Sequence, residues 1–175
     1  MLRVLAIDPG TRHTGMALVD EYGISCAQTI HGRGGALGTD NTLIIERCEQ
    51  IADEVERLCM CWPHDVVVIE GYEPFVHQGR VNADAATQTP ILVGVLCDRL
   101  RHENLHPQYS SVVLRQSGGV YGLYGIRAKG MDAKLAREKL MEKVTGGSMC
   151  HTDHERAAAA HALWYLAEEA RLFDI

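Results

Sequence analysis

The chain opens on an almost unbroken apolar run, LRVLAI, followed by the turn-like stretch DPGTRHTG. A run of that kind marks a strand buried on both faces. MALVD then alternates apolar and polar, and SCAQTIHG supplies a third strand-like stretch, so this region predicts an antiparallel meander. NTLIIERCEQIADEVERLCMCW carries Leu43, Ile44, Ile45, Ile51, Val55 and Leu58 at helical spacing, with charged residues on the other face. After Pro63, DVVVIEGY predicts a short buried strand ending at Glu70. ADAATQTPILVGVLCDRLRHENL predicts a helix with Pro90 early in it or at a break. SSVVLRQ predicts a further strand, and SGGVYGLYGIRAKG a loop. MDAKLAREKLMEKV predicts an amphipathic helix, and the stretch from His151 onward predicts the last one. The order β-β-β-α-β-α-β-α-α implies an α/β fold, a mixed sheet with helices on both faces. No repeat or long linker divides it, so residues 1–175 read as one domain.

Composition changes this picture little, but charge changes it more. A chain of 175 residues can bury a substantial core. No apolar run approaches the roughly 20 residues that span a bilayer. MLRVLAIDPG reads as strand and turn rather than a signal peptide. The six cysteines then read as reduced thiols of a cytoplasmic protein. The net charge of −6 argues against a nucleic-acid partner, but the charge is segregated. Arg99 to Lys143 holds nine Lys and Arg against four Asp and Glu; Asp40 to Asp65 holds two against seven. A basic face can therefore coexist with an acidic whole, although a solvated helix face accounts for the same count.

Three positions could carry chemistry. Asp8 ends the first buried strand just before a Pro-Gly turn, where a carboxylate is held rigidly; Asp-Pro-Gly is also ordinary turn chemistry. Glu70 ends a second buried strand, where a carboxylate needs a partner, an ion or water. In HTDHERAAAAHALWYL, Thr152 and Glu155 fit a capping box, which explains part of the polar cluster. His154, Ala157 and His161 share one helical face, so His154 could be presented to the strand ends or simply pack there. Cys59, Cys61 and His64 make a poor start on a four-ligand zinc site.

These motifs and their order resemble the RuvC family of Holliday junction resolvases. AIDPGTRHTG, VVVIEGYEPF and DHERAAAAHALWY carry the resemblance, and LRQSGGVYGLYGIRAKGMDAKLAREKL looks like the family's basic segment. The resemblance implies an RNase H-like fold with a five-stranded mixed sheet. It implies a metal-dependent endonuclease that cuts four-way or branched DNA, and a symmetric homodimer with one site per strand. The family's two divalent ions, Mg²⁺ or Mn²⁺, sit on four ligands. Three map to Asp8, Glu70 and His154, while the fourth maps to Ala157, which cannot ligate. Asp153 could substitute if it reaches inward from a frayed first turn. Lys134 maps to the family's catalytic lysine. Arg115, Arg127 and Lys129 would hold phosphates, and Phe75 or Tyr72 would wedge between unstacked bases. Two alternatives stay open: a junction-binding form impaired at Ala157, or a YqgF-like nuclease acting on RNA.

Overall fold

The protein, seen as a computed structural model, is described over residues 1–33, 41–72, 83–109, 113–114, 119–145 and 149–169. Within them, β1 (Val4–Asp8), β2 (His13–Asp20), β3 (Gly23–His31), β4 (Val66–Glu70) and β5 (Leu105–Gln108) form one sheet in the order β3-β2-β1-β4-β5. The first three strands are the expected antiparallel meander; β4 pairs in parallel with both β1 and β5. The helices are α1 (Asn41–Cys61), α2 (Ala83–Arg99), α3 (Val120–Leu123), α4 (Ala133–Thr145) and α5 (Asp153–Trp164). The last runs on into a π-helical turn over Tyr165–Glu169. Among the described residues no helix is long and apolar enough to cross a membrane. The six cysteines form no disulfide.

Side chains alternate across the sheet, so each central strand serves two cores. Val4, Ala6, Ala17, Val19 and Val68 pack with Leu140 of α4 and with Ala158, Ala159, Ala162 and Leu163 of α5. Leu5, Ile7, Met16, Val67 and Ile69 pack on the other side with Ile51 and Val55 of α1 and Leu92 and Leu96 of α2. This explains why LRVLAI and DVVVIE show no alternation: both faces are covered. Each fully buried Val, Leu or Ile of this kind contributes roughly 1.5–3 kcal/mol of transfer free energy.

The structure departs from the sequence reading in four places. β2 begins at His13, three residues before the expected MALVD, because its first residues pair with the end of β3. α2 passes through Pro90 and ends at Arg99 instead of reaching Leu105. The fifth strand of the described sheet is LHPQ; of the expected SSVVLRQ only Val113 and Leu114 are described, as helix and turn, and the rest lies outside the described residues. Backbone hydrogen bonding decides this. The N–H groups of Val67 in β4 and of Gly71 just after it are satisfied by the carbonyls of Asn104 and Gln108, at 2.9 and 2.7 Å. Pro107 is tolerated because β5 is an edge strand. Finally, α3 forms inside the expected glycine-rich loop.

Arg99 also leaves the presumed basic face. Its guanidinium binds Glu49, Asp53 and Glu56 of α1, so the acidic stretch and the first basic residue neutralise one another across the α1–α2 contact.

Candidate active site

β1 and β4 run in parallel and in register, with Ile7 opposite Ile69, so Asp8 and Glu70 emerge together from one end of the sheet. The turn after Asp8 is locked by Thr14. Its hydroxyl donates to the Gly10 carbonyl at 2.9 Å and accepts the Gly10 N–H at 3.3 Å. The Thr11 hydroxyl ties the same turn to Gln88 of α2 at 3.2 Å.

The last helix is brought onto this end by two features of its sequence. Its N-terminus is a complete capping box, as expected. The Thr152 hydroxyl accepts the Glu155 N–H at 3.1 Å, and the Glu155 carboxylate accepts the N–H groups of His151 and Thr152. A further bond from Thr29 of β3 to Glu155, at 2.8 Å, fastens the cap to the sheet. Gly15, paired with Asp8 across the strands, then lets the helix close in: a Cβ there would lie 2.2 Å from the His154 carbonyl carbon. His154 is thereby delivered to Asp8, and its Nδ1–H donates to Asp8 Oδ2 at 2.8 Å.

Two turns further along α5, His161 is fully buried. Its Nδ1 lies 3.1 Å from Gln108 Oε1 at the end of β5, and its Nε2 lies 3.8 Å from Glu70 Oε2. Ala157 therefore sits between two imidazoles that both reach the strand-end carboxylates.

Burial would raise the Asp8 pKa, but hydrogen bonds with His154 and Glu70, and the nearby imidazoles, hold it below the usual carboxylate range. His154 is raised above its ordinary value by the bond to Asp8, against the effect of burial. Burial drives His161 down to about 4, so it is neutral at physiological pH. The site thus offers a carboxylate–imidazole pair, a second carboxyl within hydrogen-bonding reach and a neutral buried histidine. The pair can orient a water and move its proton.

The structure brings Asp8, Glu70 and His154 together at one end of the sheet. Asp153 does not join them. The first turn of α5 is capped rather than frayed, and the Asp153 carboxylate takes a two-pronged bond from Arg137 of α4, through Nε at 2.9 Å and through Nη2. Lys134 is exposed in the first turn of α4, and Arg127 and Lys129 are exposed in the segment before it. Tyr72 is half-buried just past Glu70, while Phe75 and Arg115 lie outside the described residues. Sequence reasoning missed Arg137, whose charge is felt at Asp8, and Gln108, which steadies His161. It also missed Tyr109, about half exposed, whose ring lies over Gly71. The last two were hidden by the misplaced fifth strand.

These donors do not make the four-ligand, two-ion set that the resemblance implies. Ala157 ends in a methyl group and Asp153 is committed to Arg137. Among the described residues, no group of three or more His, Cys, Asp or Glu side chains is arranged to hold a metal ion.

The strand order, the parallel β1–β4–β5 half and helices on both faces define an RNase H-like fold. More narrowly, it is the fold of the RuvC resolvases. RuvC of Thermus thermophilus in complex with a Holliday junction superimposes with a TM-score of 0.67 at 16% identity, covering 98% of this chain and 96% of that one. The T. thermophilus RuvC structure by itself gives 0.63 at 20% identity, with coverage of 98% and 96%. The yeast mitochondrial Holliday junction resolvase Ydc2 gives 0.53 at 13% identity, covering 93% of this chain and 75% of that one. By sequence, the chain matches no model of a known protein family and no curated protein.

Proposed function

We propose that the chain is a RuvC-type protein that recognises four-way or branched DNA as a symmetric homodimer, with a hydrolytic centre left incomplete at Ala157. The observation that carries this reading is the convergence of Asp8, Glu70 and His154 at one end of the sheet, with Ala157 buried on the last helix between His154 and His161. Phosphodiester hydrolysis needs charge neutralised on the attacking and leaving oxygens, which two divalent ions supply when enough ligands hold them. Here the ligand set is one carboxylate short, so cleavage is slow. Junction binding rests on other groups. Arg127, Lys129 and Lys134 are exposed and available to phosphates, and their contribution does not depend on residue 157.

A four-way-junction assay of the parent and Ala157→Asp, with Mg²⁺ and with Mn²⁺, tests the proposal. Tight binding by both proteins, with metal-dependent cleavage gained by the variant, is the expected result. Cleavage by the parent at a rate equal to that of the variant would mean that the centre is complete without residue 157. Preference for single-stranded RNA over the junction would move the substrate to RNA. Absence of junction binding by either protein would defeat the reading altogether.

A further inference from the structure

Beside the strand-end carboxylates lies a second group of imidazoles. His13 begins β2 and His31 ends β3, and the two are direct partners in the antiparallel ladder. The neighbouring pair, Arg12 and Gly32, carries a backbone hydrogen bond of 3.0 Å from the Gly32 N–H to the Arg12 carbonyl. His13 and His31 therefore form a non-hydrogen-bonded pair, the kind in which side chains approach most closely. Their rings meet edge to face with centroids 5.0 Å apart, and their Nδ1 atoms are 3.0 Å apart. Both residues are exposed. The His154 ring stands 5.7 Å from His13, which puts the pair at the mouth of the site.

Two imidazole nitrogens on rigid neighbouring strands form a chelate. With metal–nitrogen bonds of about 2.0–2.1 Å, two cis ligands lie about 2.9 Å apart at a right angle and about 3.3 Å apart at the tetrahedral angle. The observed separation falls between these values, so the two nitrogens already stand at chelating distance, and rotation of the exposed rings would turn both lone pairs toward one ion. Without an ion, the contact requires one ring to carry hydrogen on Nδ1 and donate it to the lone pair of the other. When an ion takes both Nδ1 atoms, the donor ring keeps its hydrogen as the Nε2 tautomer, so no proton is released.

We propose that His13 and His31 form a two-imidazole site for a borderline transition-metal cation of the Zn²⁺, Ni²⁺ or Cu²⁺ class. Imidazole pairs prefer such ions over Mg²⁺, which takes oxygen ligands. The neighbouring Arg12 charge opposes any dication here equally, so the selectivity comes from the nitrogen donors alone. Two protein ligands leave open positions for water or for a phosphate oxygen arriving at the mouth of the site. The site is separate from the Asp8–Glu70 centre, since neither carboxylate contributes to it.

Titration of the full chain with NiCl₂, followed by calorimetry and by the ¹⁵N shifts of the histidine rings, tests the site. One equivalent is expected to bind, with the Nδ1 signals of both rings moving. Excess Mg²⁺ should not displace it. His13→Gln or His31→Gln should weaken binding by roughly tenfold or more, as expected for loss of one arm of a chelate. Glu70→Gln should leave it unchanged. Both histidines are exposed, so circular dichroism of the variants should match the parent and exclude misfolding. Unaltered Ni²⁺ binding by the doubly substituted protein would overturn the proposal, as would loss of binding in Glu70→Gln alone.

Discussion

His154 Nδ1 lies 2.8 Å from Asp8 Oδ2, joining the start of the last helix to the end of the first strand across almost the whole sequence. The bond shifts both groups toward their charged forms. Its contribution to stability is present above the ordinary carboxylate pKa and lost as pH falls through the depressed value of Asp8. At the other end, it is fully present below the ordinary histidine pKa and lost as pH rises through the raised value of His154.

Asp8→Asn should therefore lower the His154 pKa below its parent value, because burial remains while the counter-charge is gone. An NMR pH titration of the imidazole signals checks this. An unchanged His154 titration would show that the bond does not form in solution.

Ala157→Asp places a third carboxylate against Asp8 and Glu70. Without metal the variant should lose about 1–3 kcal/mol, from burial and like-charge repulsion. Mg²⁺ or Mn²⁺ should then raise its melting temperature far more than that of the parent. Junction cleavage should rise by roughly two to three orders of magnitude. Thermal melts with and without metal, and a cleavage time course, check the two effects separately.

His161 is buried neutral, with a pKa of about 4. Between pH 6.5 and 4 the unfolded chain takes up a proton at this position and the folded one does not, so stability falls with pH. The integrated effect is about 3 kcal/mol. His161→Gln should remove that slope, whatever it does to absolute stability. Urea unfolding across this pH range measures it.

Gly15→Ala tests the helix–strand approach. Its Cβ would meet the His154 carbonyl carbon and oxygen at 2.2 Å, and backbone cannot swing aside as a flexible side chain can. Destabilisation of about 1–3 kcal/mol or more is expected, together with loss of the His154–Asp8 bond as α5 is pushed away. Chemical denaturation and the His154 titration together read both consequences.

Much of the fold was legible in the chain before any tertiary contact was known. Two doubly buried strands, each ending in a carboxylate, could be read from uninterrupted apolar runs, because such runs have no stable place except inside a two-faced sheet. The capping box at Thr152 and Glu155 could be read because caps are local chemistry. Helical spacing put Ala157 on one face with His154 and His161, but only the resemblance to the RuvC family implied a carboxylate at that position. Tertiary structure decided the rest. LHPQ took the sheet edge because its backbone supplies hydrogen-bond partners along β4, a match no local propensity reveals. Asp153 went to Arg137 because α4 lies against the capped first turn of α5, and Arg99 went to α1 for a similar reason of packing. The His13–His31 pair exists only through strand register. Contacts between residues far apart in the chain depend on how whole elements pack, and that cannot be read from any one stretch.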